Sequence, residues 1–160
     1  MFLMKTALVL ILGIITYQDL KDREVYGFVF LILIGLLGVL HYKSVMDIHF
    51  FYAVAINFGV IFLVLLGAYI YTIFRIKKPF FSQVFGLGDL LFFLALAIGF
   101  PTITFTILLV FSLLFSLLIW GVLKNNSKYN TVPLAGYMSV FIGVVFIVSC
   151  ITNDLTLYLI

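Results

Sequence analysis

The chain has 160 residues, of which 66% are hydrophobic and only 9% are charged. That apolar share excludes an ordinary soluble domain, whose helices need a polar face at helical period. The net charge of +3 does not indicate nucleic acid as a partner, because the basic residues lie in short stretches between apolar runs, where they act as topology signals facing anionic lipid. We therefore expect one domain over residues 1–160, embedded in a lipid bilayer.

Continuous apolar runs predict six transmembrane helices. In chain order they cover Phe2–Tyr17, Val25–Leu40, Phe50–Phe74, Phe80–Phe100, Thr102–Leu123 and Val132–Ile151. The first two are shorter than the roughly 20 residues that a bilayer requires, so we expect them to extend into their flanking stretches. The runs do not alternate in polarity, which argues against a β-barrel, and no repeat or linker interrupts them. The predicted fold class is all-α, a polytopic membrane protein with a compact bundle of six transmembrane helices.

The basic residues are distributed unevenly between the two ends of these spans. By the positive-inside rule, the end with more lysine and arginine faces the cytoplasm. We therefore expect a multi-pass protein of the cytoplasmic (inner) membrane with both termini external. Seven basic residues follow spans one, three and five, and two lie on the opposite side: Lys21, Arg23, Arg75, Lys77, Lys78, Lys124 and Lys128 against Lys5 and Lys43.

Asp19 and Asp89 differ from the other four acidic residues, which fall in or near the stretches between apolar runs. Asp19 directly follows the first run, and Asp89 lies within the fourth, in the stretch "VFGLGDLLFF" at 84–93. A carboxylate at the centre of a transmembrane helix costs about 2.5–3.5 kcal/mol, so it usually faces a bundle interior or a cavity. Gly86 and Gly88 would let the backbone unwind or another chain approach closely. Asp89 therefore either caps a helix or lies within the membrane, and both hold if a broken helix restarts there.

The predicted topology places Asp19 and Asp89 at the same, cytoplasmic end of the bundle. Two carboxyl groups sharing one site do not both ionise easily, so one retains a proton. Such a pair can activate water as a base and protonate a leaving amine as an acid, which hydrolyses a peptide without a metal. We expect no metal and no other cofactor, because His41 and His49, in or beside the second loop, have no clustered partner ligand in the sequence.

Three stretches of the chain resemble motifs of a known family. "GLGD" at 86–89 matches the GxGD signature of intramembrane aspartyl proteases. "DLKDREV" at 19–25 is similar to the first-aspartate motif of type IV prepilin peptidases, D-L-R-x-R-x-I-P-N, with Asp19, Leu20 and Arg23 matching. "VPLAGY" at 132–137 is similar to the proline-containing stretch that opens the family's last span. Together with six spans, the resemblance covers essentially the whole chain.

The resemblance implies a membrane aspartic endopeptidase that removes the short basic leader of prepilin or pilin-like precursors at the cytoplasmic face. Asp19 and Asp89 would be the catalytic pair, and Gly86 and Gly88 would shape the backbone at the second aspartate. We also consider Lys21 and Arg23, which neighbour Asp19 in sequence, as supporting residues. The substrate would be a pilin-like precursor, within a type IV pilus or protein secretion system.

The sequence departs from the family pattern at three places. Leu91 occupies the position where the family usually has lysine, and Tyr26-Gly27 replaces Pro-Asn in the first motif. The paired CxxC motifs of the larger bifunctional members are missing, which implies a short, peptidase-only form. The first two departures leave open an inactive homologue acting in pilus or secretion assembly. A small transporter that uses the two buried aspartates to relay protons or cations is the other alternative.

Overall fold

The computed structural model describes residues 2–76, 85–124, 132–152 and 157–158. These ranges contain no β-strand, so the predicted all-α class is confirmed. A π-helical turn, Thr72–Ile76, directly continues the third helix. The α-helices are α1 (Phe2–Asp22), α2 (Gly27–Ser44), α3 (Asp47–Tyr71), α4 (Leu87–Gly99), α5 (Thr102–Leu123) and α6 (Leu134–Ile151).

The lengths and outer surfaces of the helices are those of a multi-pass membrane protein. All except α4 are long and apolar enough to cross a bilayer. Large apolar side chains point outward, and Leu10, Phe62 and Leu118 are 65–71% exposed. Water would make an apolar surface of this extent costly, whereas lipid covers it without cost. The described part of α4 has 13 residues, and residues 80–84, where we predict that its span begins, lie outside the described ranges.

The first two helices extend beyond their apolar runs, as predicted for spans too short to cross the bilayer. α1 continues to Asp22 and α2 to Ser44. Gln18, Leu20 and Lys21 favour helix, so nothing in the sequence stops α1 where its apolar run ends. Asp19 therefore lies in the last turn of α1 and not in the connection that follows it.

Helices α4 and α5 are joined by a tight corner of small and restricted residues. α4 ends at Gly99, Phe100 has an extended backbone, and Pro101 precedes the first residue of α5. A Cβ atom at Gly99 would lie 2.9 Å from the Cβ atom of Leu37, so glycine allows α4 to pack closely on α2 at this level.

The bundle is built mainly from two closely packed helix pairs, α1 with α6 and α2 with α4. α5 packs on α6, and α3 lies at the periphery, where its buried residues are Asn57 and Ile61. The pairs contact each other through α1 with α2 and through α4 with α6. As a result, the C-terminal end of α1 and the N-terminal ends of α4 and α6 meet at one end of the bundle.

Candidate active site

The first turn of α6 directs backbone N–H groups at this meeting point. The first four N–H groups of an α-helix have no acceptor within the helix, and an N-cap side chain normally accepts from the second or third. The N-cap residue of α6 is Pro133, whose side chain makes no such bond. Ala135 and Gly136 are the second and third residues of the helix. Two aspartates from other helices take the place of the missing cap.

Asp19 accepts a hydrogen bond from the third residue of α6. Its Oδ2 atom lies 2.5 Å from the backbone nitrogen of Gly136, and only 9% of the residue is exposed. The close packing of α1 along α6 brings the two groups together. The N-terminal end of α6 carries a partial positive charge, which favours a negative carboxylate at this position.

Asp89 accepts a hydrogen bond from the preceding residue of α6. Its Oδ1 atom lies 3.0 Å from the backbone nitrogen of Ala135. Its other oxygen, Oδ2, lies against Gly86, the N-cap residue of its own helix, where a Cβ atom would be only 3.1 Å away. The interpretation that Asp89 itself caps the helix is therefore wrong, since α4 begins at Leu87.

The structure thus brings Asp19 and Asp89 to one turn of one helix. Their amide partners are consecutive residues, whose Cα atoms are about 3.8 Å apart. The two carboxyl groups are close enough for the charge of Asp19 to act on Asp89. Topology and spacing predicted that these residues share one end of the bundle, but not that α6 joins them.

Three glycines lie near the aspartates, and their roles differ. A Cβ atom at Gly136 would lie 2.9 Å from Asp19 Oδ2, and one at Gly86 would lie 3.1 Å from Asp89 Oδ2. A Cβ atom at Gly88 would instead meet the ring of Phe30 at 3.5 Å, an ordinary packing distance. Gly86 therefore leaves room for the second aspartate, whereas Gly88 packs against α2.

Gly136 is the residue that motif matching did not single out as part of the site. Its only sequence signal is its position in the first turn after Pro133, within "VPLAGY". Both its N–H group and its lack of a side chain are needed for the contact that Asp19 makes.

The two basic residues considered as supporting groups point in different directions. The Nζ atom of Lys21 is exposed and lies 3.1 Å from the hydroxyl of Tyr17 on the outer surface of α1. The guanidinium of Arg23 lies over the ring of Trp120 in α5, 5.7 Å from its centroid, and its charge acts on Asp19. The structure therefore directs Arg23 toward α5, with its charge acting on Asp19, and places Lys21 on the outer surface.

Two hydroxyl groups extend the polar cluster from Asp19 toward the middle of the bundle. The Thr16 and Ser139 oxygens lie 2.7 Å apart, between α1 and α6, and Ser139 donates to the carbonyl oxygen of Gly136 at 2.7 Å. Thr16 and Ser139 also line an open groove of about 660 Å³ between the outer faces of the two helices. These hydroxyls hold the first turn of α6 against α1.

His41 and Leu91 both pack within the bundle, although the sequence places His41 in or beside the second loop. His41 is fully buried, and its Nδ1 atom lies 2.8 Å from the carbonyl oxygen of Ile98, so it caps the C-terminal end of α4. Leu91, at the position where the resembled family has lysine, packs against the apolar core.

Among the residues that the structure describes, no three histidine, cysteine, aspartate or glutamate side chains are grouped as a metal site would need.

The paired carboxyl groups are suited to proton transfer. Each uses one oxygen to bind α6, Oδ2 of Asp19 and Oδ1 of Asp89, and each has a second oxygen that can bind water or a reacting group.

The chain matches no protein-family model, no curated protein and no solved structure. Its function therefore has to be inferred from this pair and its surroundings.

Proposed function

We propose that the protein is a membrane aspartic endopeptidase that removes the N-terminal leader of prepilin or pilin-like precursors at the cytoplasmic membrane face. The observation that carries the proposal is that consecutive N–H groups, those of Ala135 and Gly136, hold Asp89 and Asp19 side by side. The resemblance of residues 19–25 and 86–89 to the two aspartate motifs of type IV prepilin peptidases supports the same activity and suggests the substrate class.

In the proposed reaction, one carboxylate removes a proton from a water molecule, which attacks the carbonyl carbon of the scissile peptide bond. The other carboxyl group, protonated, supplies a proton as the tetrahedral intermediate forms and collapses. The carbon–nitrogen bond then breaks, and the departing nitrogen leaves as an amine with the transferred proton. The amides of Ala135 and Gly136 fix the position of both carboxyl groups throughout, so little reorganisation is needed at each transfer.

The basic residues support our proposal that the pair acts on the cytoplasmic side of the membrane. Lys21, Arg23 and Lys124 lie at the same end of the bundle as Asp19 and Asp89, at the ends of α1 and α5. The excess of lysine and arginine in the stretches after spans one, three and five favours a cytoplasmic position for that end. A leader that has not yet crossed the membrane would therefore reach the aspartates from the cytoplasm.

The test measures removal of the leader from a pilin-like precursor of the same genome. The reaction is run in membranes that contain the protein, and the products are detected by mass spectrometry. We expect Asp19→Asn and Asp89→Asn each to slow cleavage at least about 100-fold, because each removes one of two proton-transfer groups. Asp22→Asn is the matched control, since Asp22 is an exposed acidic residue in the same helix as Asp19. Cleavage by either aspartate variant at the rate of the control would exclude the catalytic pair.

An inactive peptidase homologue that acts in pilus or secretion assembly is the second candidate, and Leu91 favours it. This side chain packs on the core, where the resembled family carries a cation two residues after the GxGD aspartate. In that case the two carboxyl groups would serve only as caps of α6. The same experiment separates the candidates, because an inactive homologue would leave every precursor uncleaved while remaining folded in the membrane.

A further inference from the structure

The connection after α1 has a backbone conformation that its residue type disfavours. Arg23, the first residue beyond α1, has a φ angle of 58°, and it is the only non-glycine residue with a positive φ among those that the structure describes. Helices often end with a left-handed residue, but glycine is the usual one because it has no Cβ atom. A side chain that is kept in this position at a conformational cost often has a functional reason to be there.

The left-handed turn directs the arginine side chain back across the end of the bundle. Its guanidinium lies 5.7 Å from the ring centroid of Trp120, near the end of α5. Its positive charge also acts on Asp19 in the last turn of α1. A guanidinium can stack on an aromatic face and attract a carboxylate at the same time, which an ammonium does less well.

We infer that Arg23 is a positioning residue of the aspartate pair, held in place by Trp120, and that it keeps the Asp19 carboxylate against the first turn of α6. The catalytic consequence of this inference rests on the proposed peptidase function, whereas the placement of Arg23 does not. Arg23 acts through Asp19 and touches neither the scissile bond nor the attacking water.

The placement can be tested without activity, because Trp120 is the only tryptophan in the chain. In purified, folded protein we expect Arg23→Asn to change the fluorescence emission of Trp120, since asparagine tolerates the left-handed backbone but carries no charge. Lys21→Asn is the matched control, because Lys21 is even nearer to Asp19 in sequence but lies on the outer surface. We also expect Asp19→Asn to change the emission when Arg23 is present, and not in the Arg23→Asn background. Equal emission from Arg23→Asn and Lys21→Asn would overturn the inference.

The catalytic consequence is measured as separate changes in kcat and KM for leader removal. We expect Arg23→Asn to lower kcat about tenfold and to leave KM within about twofold, because the group it positions acts in the transition state. Lys21→Asn should leave both unchanged. If Arg23→Asn fails to fold, Trp120→Leu should lower kcat in the same way and Trp120→Phe, which keeps an aromatic face, should restore it. Equal kcat for Trp120→Leu and Trp120→Phe would contradict the role, whereas an inactive wild type would refute the proposed function and leave the fluorescence result to decide on Arg23.

Discussion

The two ends of the bundle each satisfy a helix terminus with side chains from other helices, but with opposite chemistry. At the C-terminal end of α4, the Nδ2 atom of Asn57 donates to the carbonyl oxygens of Ala97 and Phe100, both at 2.8 Å. His41 adds the bond to Ile98, and because the acceptor is a carbonyl its Nδ1 atom must carry the hydrogen. At the N-terminal end of α6, two carboxyl groups accept from consecutive amides.

The end with His41 and Asn57 has the properties of a structural cap. Both side chains are fully buried and lie between helices. The ring of Tyr158 stacks on that of His41, with centroids 6.1 Å apart, and on that of Phe100 at 6.0 Å. Burial raises the pKa of Tyr158, so its hydroxyl stays protonated and uncharged. Uncharged donors and packed rings satisfy this terminus without placing a negative charge in the bundle.

Placing Asp19 and Asp89 at the other end of the bundle costs more free energy than the capping of a helix requires. One serine or threonine at the N-cap position would satisfy an amide of α6 without any charge. Two acidic groups repel each other when both are ionised, and burial penalises their charged forms. A structure that keeps both carboxyl groups therefore sacrifices stability at this terminus, which is typical of functional sites. The difference between the two ends therefore supports our proposal that the carboxyl pair does more than close a helix.

The difference between the two ends of the bundle is tested most strongly by a substitution that places a side chain in the space beside Asp19. Gly136→Ala would place a Cβ atom 2.9 Å from Asp19 Oδ2 and 3.1 Å from Asp19 Cβ, so the carboxyl group must move. We expect leader cleavage to fall about 100-fold, since a displacement of about 1 Å at a catalytic group has that effect. Cleavage rates of purified protein on one precursor would measure it.

Gly143→Ala is the matched control for this substitution. Gly143 lies two turns further along α6, and a Cβ atom there would have no neighbour within 4 Å. Its cleavage rate should stay at the wild-type level. A Gly136→Ala variant as active as Gly143→Ala would show that the contact between Asp19 and α6 is not needed for activity.

Alanine substitutions at the two glycines of the "GLGD" motif should have smaller and unequal effects on the cleavage rate. A Cβ atom at Gly86 would lie 3.1 Å from Asp89 Oδ2, and this oxygen can give way by a few tenths of an ångström. We expect Gly86→Ala to lower cleavage about tenfold, the equivalent of about 1.4 kcal/mol in the barrier. Gly88→Ala should remain close to wild type and gain up to about 1 kcal/mol in helix stability, because Gly88 faces only Phe30. Equal losses in both variants would mean that the motif acts through its backbone and not through the space it leaves for Asp89.

The helices and the proximity of Asp19 and Asp89 could be predicted from the sequence for simple reasons. Apolar runs of transmembrane length mark the helices, and short connections place Asp19 and Asp89 at one end of an alternating bundle. The role of Gly136 and the difference between Arg23 and Lys21 were not accessible. Gly136 matters because α1 approaches α6 closely, and Arg23 differs from Lys21 because of a left-handed turn. Both depend on contacts between distant segments, which leave no pattern along the chain.

The sequence places His41 in or beside the second loop, and it does not indicate the burial of this side chain for the same physical reason. Its position near the end of α2 indicated a loop or membrane surface, but α4 ends beside it and supplies a carbonyl oxygen. A helix terminus that lies against a neighbouring helix needs a donor from that neighbour. Where α4 ends relative to α2 is a property of the packed bundle and not of either segment.

The last expected effect is on stability and concerns the structural end alone. Asn57→Ala would leave the carbonyl oxygens of Ala97 and Phe100 without their side-chain donor in a buried position. We expect the free energy of unfolding to fall by about 1–2 kcal/mol, a range set by the modest strength of hydrogen bonds between membrane helices and the cost of an unsatisfied buried group. Unfolding in mixed detergent micelles would measure the loss, with His49→Ala, an exposed residue, as the control. The cleavage rate per folded molecule should not change, because Asn57 lies at the opposite end of the bundle from Asp19. A variant that keeps its stability but loses cleavage would reverse the assignment, making this end part of the catalytic machinery and not only a helix cap.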